Sequence, residues 1–587
     1  MTTLVVLIVG VVFGFGAADV KLTEPVKLPE FSVQGFETTY EGTTGNVYLG
    51  VPYAQAPVEE RRFEKPSPLN PSNNLIKALD FAPSCYMQED VTALIPTSED
   101  CLYLNVLTPT KPPPPEGFPV LFWIHGGGFN YGGTVGYGFN KYIRDYISRD
   151  IVYVNFQYRL SFWGFFTTNS TEIPGNYGHW DQLEALKFVK RNIAAFGGNP
   201  NQITVGGHSA GSASANSFTL SPHTRDLFNY SIQQSGGTMD VWALRPDLVD
   251  FAKTVAKNLG CGQTDDKELK KCMKEKSDPM AVLAELKKHP FATEDITTCP
   301  WTPILDDEFF DGKTVPQLLA EAPVKPVLYT IDTGEGLIAS LNTGNPITSV
   351  FAYAFGVRPE VSHLFTRANF TRNLERLLLK PSRMPESQIE AAKTDILYNF
   401  IDVPYDKSNE VYFWRRFTDF VSQIVFEYPM LTNIRNRLNN GWNNQYVLIY
   451  DYVREVDISR IRQRLAPHGY EYYWLAECQP YFELEPTETP YEVKWRIAWA
   501  ENIAHFVHHG KPKETAWPAV SSTETIDYLI IGQTEIETGS TYFEPVKYWD
   551  GLLSKYDILW TGANKQKMYA QNSSFDEGCS NSGKTEL

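Results

Sequence analysis

Positive charge is in short supply. Lys and Arg number 52 against 69 Asp and Glu, so the 587-residue chain has a formal net charge of −17 and a pI near 5.2. A face that binds nucleic acid or an anionic membrane needs a basic excess, so those are poor partners and none is expected. Long apolar runs are scarce as well. The one that stands out, Leu4–Phe15 in MTTLVVLIVGVVFGFGAADV, is short for a bilayer span and is followed by small residues at Gly16–Ala18. It reads as a secretory signal peptide over residues 1–18, although no basic residue precedes the run. No stable membrane insertion of the mature chain is expected. No internal repeat and no Pro/Ser-rich linker divides the middle, so residues 19–563 read as one domain. Residues 564–587, polar and rich in Ser and Asn, read as a mobile tail.

Cysteine is sparse, at seven, and agrees with an oxidising compartment. Cys85 and Cys101 lie close in sequence, as do Cys261 and Cys272, and either pair can close a short loop. Spacing does not derive connectivity, and Cys299, Cys478 and Cys579 have no evident partners. Sequons at Asn169, Asn229, Asn369 and Asn572 fit passage through the secretory pathway. No metal and no cofactor is expected.

What the chain does have is apolar content, 42% hydrophobic and 14% aromatic, enough to bury a large core. Val33–Tyr53 is rich in β-formers, with turns at Gly42 and Gly45. PVLFWI (Pro119–Ile124), IVYVNFQY (Ile151–Tyr158) and ITVGG (Ile203–Gly207) read as buried strands. Further runs of this kind occur in YSIQQS, PVLYTI, QYVLIYDYV and DYLIIG. Between them, Asp181–Phe196 puts apolar residues at helical spacing until Gly197-Gly198 stops it, and SASANSFTL after Ser209 is helix-compatible. Buried strands alternating with helices predict an α/β fold with a large, mostly parallel central sheet and helices on both faces.

Gly207-His208-Ser209-Ala210-Gly211 is G-x-S-x-G between a strand and a helix. The pattern arises by chance in roughly one such chain in five at average composition, so the strand–turn–helix setting carries the signal. A sharp turn there strains the serine and exposes its hydroxyl beside a helix N-terminus, where amides favour negative charge. His125-Gly126-Gly127-Gly128-Phe129 after PVLFWI is a second, independent motif. Its amides, with that of the residue after the serine, can bind an oxyanion, and glycines keep side chains out of the way. A serine needs a base, and the base an orienting acid, in the order Ser, Asp/Glu, His. The histidines after Ser209 are His223, His289, His363, His468, His505, His508 and His509. His468 follows a late strand in a loop, APHGYEYYWL, whereas His508-His509 fit a helix end. Many carboxylates between Ser209 and His468 remain open as the acid.

These residues resemble the carboxylesterase/cholinesterase family of α/β hydrolases. The likeness runs over nearly the whole chain after the leader, through GVPYAQAPVEERRF, SEDCLYLNV, HGGGF, GNYGHWDQLEALKFVKRNIAAFGGNP, GGHSAGSAS, IQQSGG, GEG, HGYEYYW and HGKP. The resemblance implies Ser209 as nucleophile, Glu335 as acid, His468 as base, and Gly127, Gly128 and Ala210 as oxyanion donors. It also implies Cys85–Cys101 and Cys261–Cys272 disulfides, and structural ion pairs Arg62–Glu99 and Arg159–Asp181. The late segment FEPVKYWDGLL has no cysteine where cholinesterases carry a third bridge.

Cholinesterases carry Glu before the nucleophile and a Trp on the first disulfide loop. Here His208 and the Trp-free YMQEDVTALIPTSED stand in those places, which weighs against choline esters. Juvenile hormone esterases typically carry Gln at the position of His208. The implied activity is hydrolysis of small, uncharged, hydrophobic carboxylic esters through an acyl-serine. Alternatives are a specialised hormone or odorant esterase, a lipase, or a non-catalytic adhesion homologue, the last disfavoured by the intact Ser209, Glu335 and His468. The ending Lys584-Thr585-Glu586-Leu587 resembles signals read by an ER retrieval receptor, against the alternative of a chance ending on a secreted protein.

Overall fold

The computed structural model describes residues 21–88, 95–245, 247–289, 299–344, 355–379, 384–403, 409–477, 481, 487–513, 517–542 and 544–556. Several expectations fall outside them: the 1–18 leader, Cys478, Cys579, Asn572, and the 564–587 tail with its Lys584–Leu587 ending.

Eleven strands form one sheet. In chain order they are β1 (Phe36–Tyr40), β2 (Thr43–Pro52), β3 (Tyr103–Pro109), β4 (Phe118–Ile124), β5 (Val152–Phe156) and β6 (Gly198–His208). Then come β7 (Tyr230–Gln234), β8 (Val327–Asp332), β9 (Gln445–Tyr450), β10 (Thr525–Ile531) and β11 (Ile536–Tyr542). The order across the sheet is β11-β10-β9-β8-β7-β6-β4-β5-β3-β2-β1. Strands from β10 to β5 run parallel, and both edges are antiparallel. The sequence explains the division. Every residue of FPVLFWI and VYVNF is buried, as a strand covered on two faces requires, whereas the edge strand β1 reads FETTY with polar residues half exposed.

Helix α1 (Tyr177–Asn192) continues as a tight turn over Ile193–Phe196 and stops at Gly197, whose φ of 83° ends it. It starts four residues ahead of the expected Asp181, because Asn176 in a left-handed conformation turns the chain into it. No apolar periodicity in NYGHW could reveal that. Helix α2 (Ala210–Leu220) packs on β6 and β7. Arg159, past the end of β5, meets Asp181 in α1 through two side-chain contacts of 2.7 Å, and its backbone N–H donates to the same carboxylate. Arg62 Nε donates to Glu99 Oε1 at 2.6 Å. Cys85 is bonded to Cys101, and Cys261 to Cys272. Among the described residues no helix is long and apolar enough to cross a membrane.

Candidate active site

Three loops at one end of the sheet converge. The first leaves β6 into α2, and Ser209 is its only residue between strand and helix, with φ 56° and ψ −122°. Backbone space is gone here: a Cβ on Gly211 would lie 2.0 Å from Ile124 O, and one on Gly207 2.4 Å from Gly211 C. Only glycine permits the approach of α2 to the ends of β4 and β6. The strained turn is held by the Ser209 N–H, which donates to Gln234 O on β7 at 2.8 Å. Ala210 opens α2, so its N–H has no acceptor one turn back.

The second loop leaves β4, the parallel neighbour of β6. A Cβ on Gly126 would lie 3.0 Å from Ser209 Cβ, so this loop runs against the serine. Gly127 and Gly128 have φ of 117° and 60°. Their carbonyls accept from Asn130 and Tyr131, while neither N–H meets an acceptor among the described residues. His125 anchors the loop from behind, its ring stacked on Tyr158 at 4.4 Å and its carbonyl accepting from Tyr158 Oη. Burial pushes that imidazole down to about 4.

The third part joins the loops after β8 and β9. A bridge between Gly334 and Pro467, with Gly334 N–H donating to Ala466 O at 2.8 Å, clamps them together. Glu335, fully buried, thereby faces His468, and Oε2 lies 2.5 Å from Nδ1. The other carboxylate oxygen accepts from Asp332 N–H. His468 Nε2 is buried and meets no partner among the described residues. Its ring packs on His208, the residue before Ser209, at 4.6 Å, and on Phe426 at 4.8 Å. Phe426 touches Trp242, which in turn touches Phe129, an aromatic wall beside the three loops.

Two more carboxyls sit under this pair. Burial pushes Asp332 well above the usual range, with Glu471 and Glu335 adding to it, and pushes Glu471 up to about 7. Both are thus easier to protonate than an ordinary carboxyl, which lessens the negative charge beside Glu335 and His468. Gly469 N–H donates to Asp332 at 2.7 Å, and Gln234 donates to Glu471, tying β7, β8 and the His468 loop into one network. The arrangement offers a strained hydroxyl, an imidazole with one nitrogen on a carboxylate and the other free, and unpaired amides close by. Among the described residues no group of side chains forms a metal site.

The chain belongs to the carboxylesterase family. That family's model matches residues 23–549, most of the chain. Gut esterase 1 of Caenorhabditis elegans is 31% identical over 558 residues, covering 92% of this chain and 95% of that protein. Liver carboxylesterase of Sus scrofa is 28% identical (87% and 89% covered), and cholinesterase of Mus musculus 28% (84% and 80%). The carboxylesterase is thus an α/β hydrolase that cleaves carboxylic esters.

Ser209, Glu335, His468, Gly127, Gly128 and Ala210, singled out in the sequence, come together at this one place. The four described disulfide cysteines and the ion-paired Arg62, Glu99, Arg159 and Asp181 lie in the scaffold. Asn169 and Asn229 are exposed, and Asn369 is half-buried and caps a helix through Oδ1. Sequence reasoning did not reach Phe426, Trp242, Asp332 or Glu471, nor the contact of His208 with His468. Glu471 stands inside HGYEYYW, but nothing in that string says its carboxyl turns inward.

Proposed function

We propose that the carboxylesterase hydrolyses small, uncharged, hydrophobic esters through an acyl-enzyme on Ser209. His468 Nε2 takes the hydroxyl proton as Oγ attacks the ester carbonyl, and Glu335 orients the imidazole through Nδ1 and stabilises the imidazolium. Amides of Gly127, Gly128 and Ala210 receive the oxyanion. Collapse of that intermediate expels the alcohol, which leaves with the proton from His468. Water then attacks the acyl-serine by the same route, and the carboxylic acid departs. The reading is carried by one observation: Glu335 lies 2.5 Å from His468, whose ring packs against the residue preceding a serine at φ 56°.

The substrate class rests on the aromatic wall of Phe129, Trp242 and Phe426 and on a neutral His208 at the nucleophile. The names of two relatives, gut esterase and liver carboxylesterase, agree with ester hydrolysis as such. The leader, the sequons at Asn169, Asn229, Asn369 and Asn572, and the two disulfides support passage through the secretory pathway, with Lys584–Leu587 the segment a retrieval receptor would read.

A fluorophosphonate should label Ser209 in the folded enzyme, and Ser209→Ala should abolish both labelling and ester turnover. Substantial hydrolysis by that variant would overturn the mechanism. A chain-length series of p-nitrophenyl esters on the same protein separates an esterase from a lipase.

A further inference from the structure

Two imidazoles face each other in the site, and the mechanism uses only one. The ring of His208 lies between those of His468 (centroids 4.6 Å apart, planes at 33°) and Tyr472 (4.8 Å, 52°). Backbone closes in on the same ring: a Cβ on Gly469 would be 3.0 Å from His208 Cε1, and one on Gly126 3.3 Å from Nδ1. His208 is thus wedged between the serine turn, the oxyanion loop and the His468 loop. Its Nε2 is buried without a hydrogen-bond partner among the described residues, so no polar contact accounts for a histidine here.

We propose that His208 is a positioning residue: its neutral ring holds His468 in register with Ser209 and leaves the positive charge that forms during turnover to His468 alone. The proposal rests on the Ser209–His468–Glu335 reading. Like charges this close disfavour each other, so a site with two packed imidazoles holds one proton readily and a second with difficulty. The asymmetry falls on His208. Burial, with the His468 charge second, pushes its basicity well below that of an ordinary histidine.

The surroundings preserve that neutrality. On the oxyanion loop His125 is pushed down to about 4 by burial. On the His468 loop the Tyr472 phenol is pushed far up and the Glu471 carboxyl up to about 7, each chiefly by burial. At the end of β8, Asp332 is pushed up by burial, and Glu335 is the carboxyl hydrogen-bonded to His468.

His208→Gln removes the ring without adding charge, and His208→Glu sets a carboxylate against His468. With a neutral p-nitrophenyl ester, the glutamine variant should lose on the order of tenfold in kcat with KM within about twofold, its acid limb unmoved. The glutamate variant should move the acid limb of kcat/KM up by about one pH unit, because a carboxylate favours the imidazolium. A merely structural role would lower the fraction of folded enzyme and leave kcat per fluorophosphonate-titrated site unchanged. A glutamine variant whose kcat stays within about twofold of the parent would overturn the proposal, as would an unmoved limb in a folded glutamate variant. Should either variant fail to fold, ¹⁵N-histidine NMR of the intact parent decides. A His208 ring still neutral where an ordinary histidine is already protonated is expected, and protonation near the ordinary histidine value of about 6.5 would refute it. Turnover by Ser209→Ala would sink the triad itself, whereas an inactive Ser209→Ala with an unaffected glutamine variant would sink only His208.

Discussion

At the scale of single residues, function and stability pull apart at Ser209. A non-glycine residue at φ 56° and ψ −122° sits where L side chains rarely go, and such strain costs of order 1–3 kcal/mol. The fold tolerates it because Gly207 and Gly211 let α2 close on β4 and β6, and because β7 accepts the serine amide. Ser209→Gly should therefore raise stability by about 1 kcal/mol while eliminating ester turnover. Chemical denaturation beside an activity assay checks both, and a glycine variant less stable than the parent would deny that strain is stored there. The residue identities at this point were legible in GGHSAGSAS, since G-x-S-x-G carries its backbone requirement in its own letters. The clash a Cβ would meet depends on Ile124, eighty-odd positions upstream, and so was not.

Among the elements, β4, β5, β6, β8 and β9 deliver loops that neighbouring segments pin. Arg159 and Asp181 tie the segment after β5 to α1, and both are almost wholly buried. Removing one partner of such a pair leaves an uncompensated buried charge, which typically costs 3–5 kcal/mol. Asp181→Ala should lower stability by about that much, with the fluorophosphonate reactivity of the surviving folded enzyme unchanged. Thermal melts and labelling rates measured together test this, and a variant of parental stability would show the pair to be idle. The strands themselves were readable as continuous apolar runs. The true start of α1 at Tyr177 was not, because Asn176 sets it by a left-handed turn rather than by periodicity.

Over the whole molecule, acidic groups divide by environment. Many acidic side chains are exposed, but Asp332 and Glu471 are buried at the convergence of β7, β8 and the His468 loop. Glu471 moves from 4.5 to about 7 on folding, so the folded state holds the proton more tightly. Its stabilising contribution is full below about pH 4.5 and is lost as pH rises through about 7. Glu471→Gln should remove that slope, shrinking the loss of stability between pH 5 and pH 8 by about 2–3 kcal/mol. Unfolding curves at the two pH values provide the test. A glutamine variant with the parental pH dependence would mean that Glu471 is ionised in the folded enzyme.

The amino-acid order alone determined what is local or short-range. Apolar runs dictate strands, G-x-S-x-G and HGGGF dictate turns that only glycine can make, and the acidic balance sets the net charge of −17. Those follow because backbone sterics and hydrophobic periodicity act over a few residues. Only the tertiary structure decided which carboxylate meets His468, since Glu335 reaches it through a clamp between loops 133 residues apart. The same holds for the packing of His208 on His468, for Phe426 against that ring, and for the raised carboxyls beneath. Burial and charge coupling depend on distance in space, and separation along the chain does not encode it.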